Sequence, residues 1–490
     1  MPQGEIVRVR YAPSPTGAPH IGNTHTALFI WLFARHSGGR FIVRIEDTDR
    51  ERYVPGSLET ILEGLRWLGL DWDEGPEVGG PKGPYFQSQR LKIYQQFARH
   101  LVETGHAYYC YCSQERLEEM RREQAARKEP PGYDRRCRNL TSKERGEFES
   151  QGIVPVVRLK VPLEGKTAFH DLIHGTVTFD NRTLDDMVLL KSDGYPTYHL
   201  AVVVDDHLME ITHIMRGDEW VPSVPRHILL YQALGWEPPK FVHLPMLLGP
   251  DRSKLAKRHG AASVLGYKAN GYLPEAVLNF LAIVGWAYDD KTEIFTRDEL
   301  IQRFSIQGIG HTPAIFSQEK MDWMNGYYIR QLSIEELARR AMPFLAQAGL
   351  IDDKTDVAYL HRVMPLVQER IKKLTEVAGL IDFLFLEKIS YDPALLIGKE
   401  MDRSATTRAL ESSLVLLKAQ DSFDAVALEA ALRPLAGQLG LTPGQLFGTI
   451  RVAISGKTVA PPLFESLAVL GRDRMLKRLA QALELTKTLR

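Results

Sequence analysis

Four short stretches hold residues suited to chemistry. RYAPSPTGAPHIGNTHTALF (10–29) leaves a strand-like run, passes a loop with Pro13, Pro15, Gly17 and Pro19, and opens a helical pattern on His20 and Gly22. A helix N-terminus offers unpaired N–H groups and the positive end of the macrodipole, which together favour a phosphate. Gly17 and Gly22 let a ligand approach the backbone, and His20 could donate to a phosphate oxygen as charge builds there. Alone, His-x-Gly is better read as a stiff turn with a capping histidine, because short motifs misfire often. GPDRSKLAKRHG (249–260) is a glycine-bounded polar loop after an apolar run and carries Lys254, Lys257 and Arg258. Such cations can close over a triphosphate, although alone this is a solvated basic turn. Arg10 and Arg216 fall at the ends of strand-like runs, and a guanidinium fork suits a carboxylate. Cys110, Cys112 and Cys137 fit the sulfur preference of a structural zinc.

These stretches need a scaffold. EIVRVRY and RFIVRIED look like buried strands, and HTALFIWLFARHSGG between them like a helix ending at Gly38-Gly39. Strand, crossover helix, strand predicts a parallel sheet with a right-handed connection. The texture changes near Tyr108. The part that follows holds all three cysteines, a charged helix and short strands such as VPVVRLKVP and TVTFD, as an insertion would. Alternation of strand and helix returns at about residue 191. After residue 330 strand signals nearly vanish and helical periodicity dominates. The predicted organisation is α/β: 1–108 as the first half of a sheet domain, 109–190 inserted, 191–266 as its second half, 267–328 helical, and 329–490 all-α.

Composition narrows the function classes. The formal net charge is zero, which excludes a uniformly basic nucleic-acid binder but not a basic face. Three cysteines among 490 residues are no disulfide framework and suggest a reducing compartment. The first residues lack the apolar core of a signal peptide, and VLNFLAIVGWAY (277–288) is too short to span a membrane. The expectation is a cytoplasmic protein.

Taken together, the loop with His20-Ile-Gly-Asn23 and the downstream Lys254-Leu-Ala-Lys257-Arg258 resemble the two signature sequences of class I aminoacyl-tRNA synthetases. APSPTG (12–17), RIEDTD (44–49), YPTYHLAVVVDDH (195–207), MRGDEW (215–220) and HLPMLLGPDRSKLAKR (243–258) narrow the resemblance to bacterial-type glutamyl-tRNA synthetases, over essentially the whole chain. It implies a Rossmann-type catalytic domain with an inserted α+β acceptor-binding domain and a helical stem-contact domain. It also implies an all-α anticodon-binding region, where the glutaminyl and archaeal-eukaryotic branches carry β-barrels. The implied reaction joins ATP with Mg2+ and L-glutamate to glutamyl-adenylate, then transfers glutamate to the terminal adenosine of tRNA(Glu). Charging of tRNA(Gln) stays open. The resemblance implies a monomer, and activation that waits for bound tRNA.

By the same resemblance, Pro13, Thr16, Gly17, His20, Gly22, Asn23, Lys254, Lys257 and Arg258 would meet ATP, with His20, Lys254 and Lys257 stabilising its phosphates. Arg10, Ser14, Glu46, Tyr198 and Arg216 would surround glutamate: Arg10 and Arg216 on the side-chain carboxylate, Glu46 on the ammonium. Asn23 replaces the histidine of the first signature and Ala256 the usual serine of the second; Val202 stands where one variant carries asparagine. The family's fourth zinc ligand corresponds to Asn139, a poor donor, but Tyr133 lies four residues before Cys137 and related enzymes use a tyrosine there. Two readings stand: a zinc on Cys110, Cys112, Tyr133 and Cys137, or three reduced thiols. The arginine-rich segment 114–138 would face the acceptor end of tRNA, and Arg370 and Arg451 the anticodon.

Overall fold

The computed structural model describes residues 6–255 and 263–488. Its first element is the expected β-α-β. Strand β1 (Arg8–Tyr11) leads through the loop to helix α1 (Ile21–His36) and back to β2 (Arg40–Val43), which pairs with β1 in parallel, Arg10 opposite Ile42. Both strands are almost wholly buried, as strands covered on two faces must be. Helix α1 buries Ile21, Ala27, Leu28, Phe29, Ile30, Trp31, Leu32 and Ala34, and so sits inside the unit. Gly38, at φ +63°, turns the chain out of the helix; a Cβ on Gly39 would overlap Val7 O, so the exit lies directly on the strand.

Helices α2 (Ser57–Leu68) and α3 (Leu91–Glu103) follow, then β3 (Ala107–Cys110), α4 (Gln114–Ala126), α5 (Ser142–Ser150) and β4 (Val156–Leu159). The hairpin β5 (Lys166–Asp171)–β6 (Gly175–Asp180) and β7 (Val188–Leu190) complete this stretch. Strands β3, β4 and β7 form a small antiparallel sheet. The β5–β6 hairpin lies elsewhere. After α6 (Tyr198–Leu208), β8 (His213–Gly217), α7 (Val224–Ala233) and β9 (Lys240–Leu244), the sheet order is β6-β5-β9-β8. A hairpin in the segment expected as insertion therefore extends the central sheet.

Thr212, just before β8, joins the two halves: its N–H donates to Arg8 O at 2.9 Å, and Arg8 N–H donates to its hydroxyl at 3.0 Å. Strand β1 thus neighbours β8, and the connections leave in opposite directions from that point. An open α/β sheet binds ligands at the carboxyl ends of its strands beside such a switch. Arg10 and Arg216 lie near those ends of β1 and β8.

Residues 1–267 and 277–318 form one compact unit, and 268–276 with 319–490 a second, so the stretch expected as a separate helical domain is shared between them. The described residues of the second unit contain helices and no strand. Its core includes Leu337, Leu345, Val363, Leu384, Leu410, Leu432, Ile450, Leu467 and Leu479. Buried Arg478 donates to Ile454 O (2.5 Å) and Leu386 O (2.6 Å), and Arg474 to Leu384 O and Leu386 O (both 2.8 Å). Carbonyls at two helix ends are satisfied this way. Among the described residues no helix is long and apolar enough to cross a membrane.

Candidate active site

The sequence...VVVDDH (202–207) places two acids side by side in an apolar helix, and both are buried. A buried carboxylate must be partnered. Asp206 accepts Arg10 Nε (2.9 Å) and Nη2 (3.1 Å) on its two oxygens, and Arg44 Nη1 (2.7 Å) as well. Asp205 accepts Arg90 Nε (2.7 Å), Gln87 Nε2 (2.9 Å) and Tyr94 OH (2.7 Å). Arg44 Nη2 reaches Glu46 at 3.1 Å. Arg10, Arg44 and Arg90 are thus set against Asp205, Asp206 and Glu46. Burial opposes the charge of Arg10 and Arg44, yet the carboxylates more than offset it and raise both pKa values. The same arginines overcome the burial of Asp206 and hold its carboxyl below the ordinary range. Burial pushes Glu46 up, against the pull of Arg44 and Arg10.

Arg216 differs. Its Nη1 donates to Tyr198 OH (2.9 Å) and its Nε to His243 Nε2 (3.1 Å), while Nη2 is buried with no hydrogen-bond partner. It forms no ion pair among the described residues, and burial lowers its pKa with only partial compensation from Tyr198. Arg10, Glu46 and Arg216 all lie within electrostatic reach of Tyr198, so these four residues gather around one point. Arg10 is already paired, which the sequence did not reveal, whereas Arg216 faces no carboxylate among the described residues. Val202, a turn along α6 from Tyr198, is buried in the apolar cluster with Leu200 and Leu230.

The proline loop is pinned to the segment after β2: Glu46 N–H donates to Pro13 O and Val54 N–H to Pro15 O. Ser14 and Thr16 are exposed along it, Asn23 is exposed in the first turn of α1, and Gly17 takes φ +131°, a region L side chains avoid. His20 is the N-cap of α1, its Nδ1 accepting from Gly22 N at 3.2 Å. An accepting Nδ1 leaves the proton of the neutral ring on Nε2. Capping therefore uses Nδ1 and leaves the ring proton on the other nitrogen. Among the described residues a Cβ on Gly22 would meet His20 Nδ1 alone, at an ordinary 3.5 Å, so none of them demands glycine there. Asp47 accepts Ser88 N–H (2.8 Å) and Oγ–H (2.6 Å) and caps the turn that follows; Asp49 binds Arg52.

The second stretch folds as a turn: Gly249 N–H donates to Ser253 O, and Leu248 pairs with Lys254, which is exposed. Lys257 and Arg258, with Ala256, lie outside the described residues. Ser263, the next described residue, pairs antiparallel with His20. The described chain thus returns to the mouth of α1 at Ser263, three residues beyond the second stretch.

A family model for class I tRNA synthetases (E and Q), catalytic domain, matches residues 6–323, and one for an anticodon binding domain matches 336–483. The glutamate–tRNA ligase of Dehalococcoides mccartyi strain 195 is 59% identical over 479 residues, 97% of this chain and 98% of that protein. The chain belongs to the glutamate–tRNA ligase family of class I aminoacyl-tRNA synthetases. The Roseiflexus castenholzii family member is 50% identical over 97% of this chain and 96% of its own. The crystal structure of a glutamate–tRNA ligase from Elizabethkingia meningosepticum, in complex with its amino acid, is 35% identical. It superposes with a TM-score of 0.88 over 98% of this chain and 99% of that one.

In this synthetase-family chain the cysteines also converge. Cys110, Cys112 and Cys137 hold their sulfurs within 4.8 Å of one another, Cys112 and Cys137 at 3.6 Å, and Tyr133 OH lies 3.3 Å from Cys110 Sγ and 3.4 Å from Cys112 Sγ. Two sulfurs on one tetrahedral zinc are ~3.8 Å apart, from bonds of ~2.3 Å. The donor set fits that ion; Asn139 is exposed. Hydrogen bonds within the cluster pull the Cys110 thiol pKa down and push that of Cys112 up. Many cations expected at the acceptor end are committed within the insertion: Arg135 and Arg138 to buried Asp186, Arg116 to Asp134, Arg127 to Glu123 and Glu129. Arg121, Arg122 and Arg136 are exposed and form no ion pair among the described residues. In the helical unit, Arg370 is exposed and close enough to half-buried Arg451 to lower its pKa, after the larger effect of burial.

Proposed function

We propose that the chain is a glutamate–tRNA ligase that activates L-glutamate with ATP and transfers it to the 3′-terminal adenosine of tRNA(Glu). The observation that carries this reading is the buried, uncompensated guanidinium of Arg216 at the sheet's carboxyl edge. A buried cation without a counter-ion is costly, and an acidic guest relieves that cost. A neutral amide leaves the cation unmatched, so glutamine is rejected. Arg216 binds the side-chain carboxylate of glutamate, Arg10 adds its remaining N–H, Glu46 receives the ammonium, and Ser14 and Tyr198 close the pocket.

ATP occupies the loop and helix mouth formed by Pro13, Thr16, Gly17, His20, Gly22 and Asn23. His20 Nε2–H and Lys254, with Lys257 and Arg258, meet the phosphates. The amino-acid carboxylate attacks the α-phosphorus, pyrophosphate leaves, and the 2′-hydroxyl of the terminal adenosine then displaces AMP. No side-chain nucleophile is needed; orientation and charge stabilisation supply the rate. Mg2+ bound with the nucleotide would supply further neutralisation of phosphate charge. Cys110, Cys112, Tyr133 and Cys137 would hold a zinc that ties the insertion together, Arg121, Arg122 and Arg136 meet acceptor phosphates, and Arg370 and Arg451 read the anticodon end.

Charging of purified tRNA(Glu) and tRNA(Gln), side by side, with labelled glutamate or glutamine tests the reading. Glutamate should be attached to tRNA(Glu) in an ATP-dependent way. Attachment of glutamine, or none of glutamate, overturns it.

A further inference from the structure

Two arginines serve one carboxylate in the function proposed above, yet the protein holds them in opposite ways. Arg10 is fixed by a direct carboxylate, Asp206, which neutralises it. Arg216 is fixed by an imidazole and a phenol, which do not. We propose that Asp171 and His243 are positioning residues that orient Arg216 through a neutral imidazole, so that its charge is kept for the side-chain carboxylate of glutamate. The inference rests on the glutamate reading and deepens it.

The relay crosses three neighbouring strands. Arg216 on β8 stands opposite His243 on β9, and β9 pairs with β5, which ends on Asp171. An arginine only donates, so His243 Nε2 must accept and carry no proton. The ring proton therefore sits on Nδ1, which donates to Asp171 Oδ2 at 2.7 Å. The same oxygen accepts His243 N–H at 3.1 Å, while Oδ1 accepts Ile173 N–H (2.9 Å) and His174 N–H (3.0 Å). Asp171 is thus saturated by donors that cannot reverse, and the tautomer of His243 follows. His243 is fully buried; burial lowers its pKa and the Arg216 charge adds to this, while Asp171 opposes.

With Nε held by His243 and Nη1 by Tyr198, the plane and rotation of the Arg216 guanidinium are set. Its Nη2, buried and unpartnered, is what remains to be matched. A carboxylate in place of His243 would have oriented Arg216 equally well, but it would have competed with the substrate for the same charge. A proton on Nε2 would have set two donors against each other.

Three full-length variants test the relay through KM for glutamate, KM for ATP, and the ratio of kcat/KM for glutamate over glutamine, all with tRNA(Glu). His243→Phe keeps a ring and removes the acceptor; glutamate KM should rise about thirtyfold, and the ratio should fall about tenfold, with ATP KM within about twofold. His243→Gln returns an acceptor oxygen and should recover most of both. In Asp171→Asn, an amide donor facing Nδ1 drives the proton to Nε2 against Arg216, so this variant should behave like His243→Phe. Histidine-selective NMR should find Nδ1 protonated in the native chain and Nε2 protonated in Asp171→Asn. Where His243→Phe fails to melt cooperatively, Asp171→Asn, His243→Gln and the tautomer decide. Unchanged glutamate KM and ratio in a folded variant, an even loss toward all substrates, or a native Nε2 tautomer would overturn the relay. A native enzyme that does not charge glutamate would instead sink the functional reading, so the two failures are distinct.

Discussion

The guanidinium of Arg10 lies in a two-bonded fork against the carboxylate of Asp206, Nε to Oδ1 at 2.9 Å and Nη2 to Oδ2 at 3.1 Å. Arg44 donates to the same carboxylate, so one acid on α6 neutralises part of the charge of two buried arginines from β1 and the segment after β2. Removing it should leave both under-paired at essentially no exposure. Asp206→Asn is expected to destabilise the unit by about 3–5 kcal/mol, because a broken buried pair leaves an uncompensated charge. Urea unfolding followed by tryptophan fluorescence measures this: of seven tryptophans, six (31, 67, 72, 220, 236, 286) lie in the first unit. A loss below about 1 kcal/mol would mean that Asp206 is not the keystone of the web.

Arg216 should behave differently, because its charge is unspent. Arg216→Gln is expected to lower kcat/KM for glutamate by about 10³-fold or more and to erase the preference over glutamine, with little cost in stability. Arg216→Lys keeps the charge but loses the planar fork, so it should recover little. Steady-state charging with both amino acids, set beside a urea midpoint, separates these outcomes. A variant that still prefers glutamate strongly would move acid recognition to Arg10.

Much of this was legible in the sequence, and the rest has a physical reason for having been hidden. The β-α-β opening follows from apolar runs, and the helical C-terminal part from its periodicity. The β5–β6 hairpin was legible as strands, but its pairing with β9 was not, since the partner lies far along the chain. Asp205 and Asp206 were visible as an anomaly, two acids in an apolar helix, and a search for their partners would have pointed to buried arginines. His243 gave no such sign. Its role depends on which residue of β8 stands opposite it, and strand register cannot be read across the intervening helix. For the same reason Arg10 and Arg216 looked alike in sequence, although one is paired and the other is not.

The sulfur cluster predicts a metal with a structural effect only. Purified chain should carry about one zinc, with the fourth donor from Tyr133. Tyr133→Phe should weaken zinc retention, and Cys137→Ser should abolish it. Either change should lower thermal stability through the small β3-β4-β7 sheet, while activation of glutamate by a folded variant stays largely intact. Elemental analysis alongside a melting curve reads this. A chain without metal, equally stable to chelator, would leave three reduced thiols hydrogen-bonded around a tyrosine.

Buried His25 and His213 and half-buried His199 predict how stability responds to acid. Burial lowers His25, His199 and His213 from 6.5 to about 4. His25 keeps Nε2 against Val284 O at 2.7 Å, and His199 Nδ1 meets His227 Nε2 at 3.0 Å. Each is neutral in the folded chain at a pH where the unfolded chain already binds a proton. Stability is therefore fully present above pH 6.5 and falls as pH drops toward 4, by up to about 1.4 kcal/mol per pH unit for each histidine. The carboxylates act lower down: Asp171 and Asp206 are depressed below 3.8 when folded, so their contribution survives through that window. The fluorescence midpoint in urea should be flat from about pH 8 to 6.5 and then decline steeply toward pH 5. Replacing His213, which is buried on β8, by glutamine should reduce the slope by about one proton in that interval. A midpoint that holds steady down to pH 5 would show that these rings are protonated in place, with partners or water that their burial denies them.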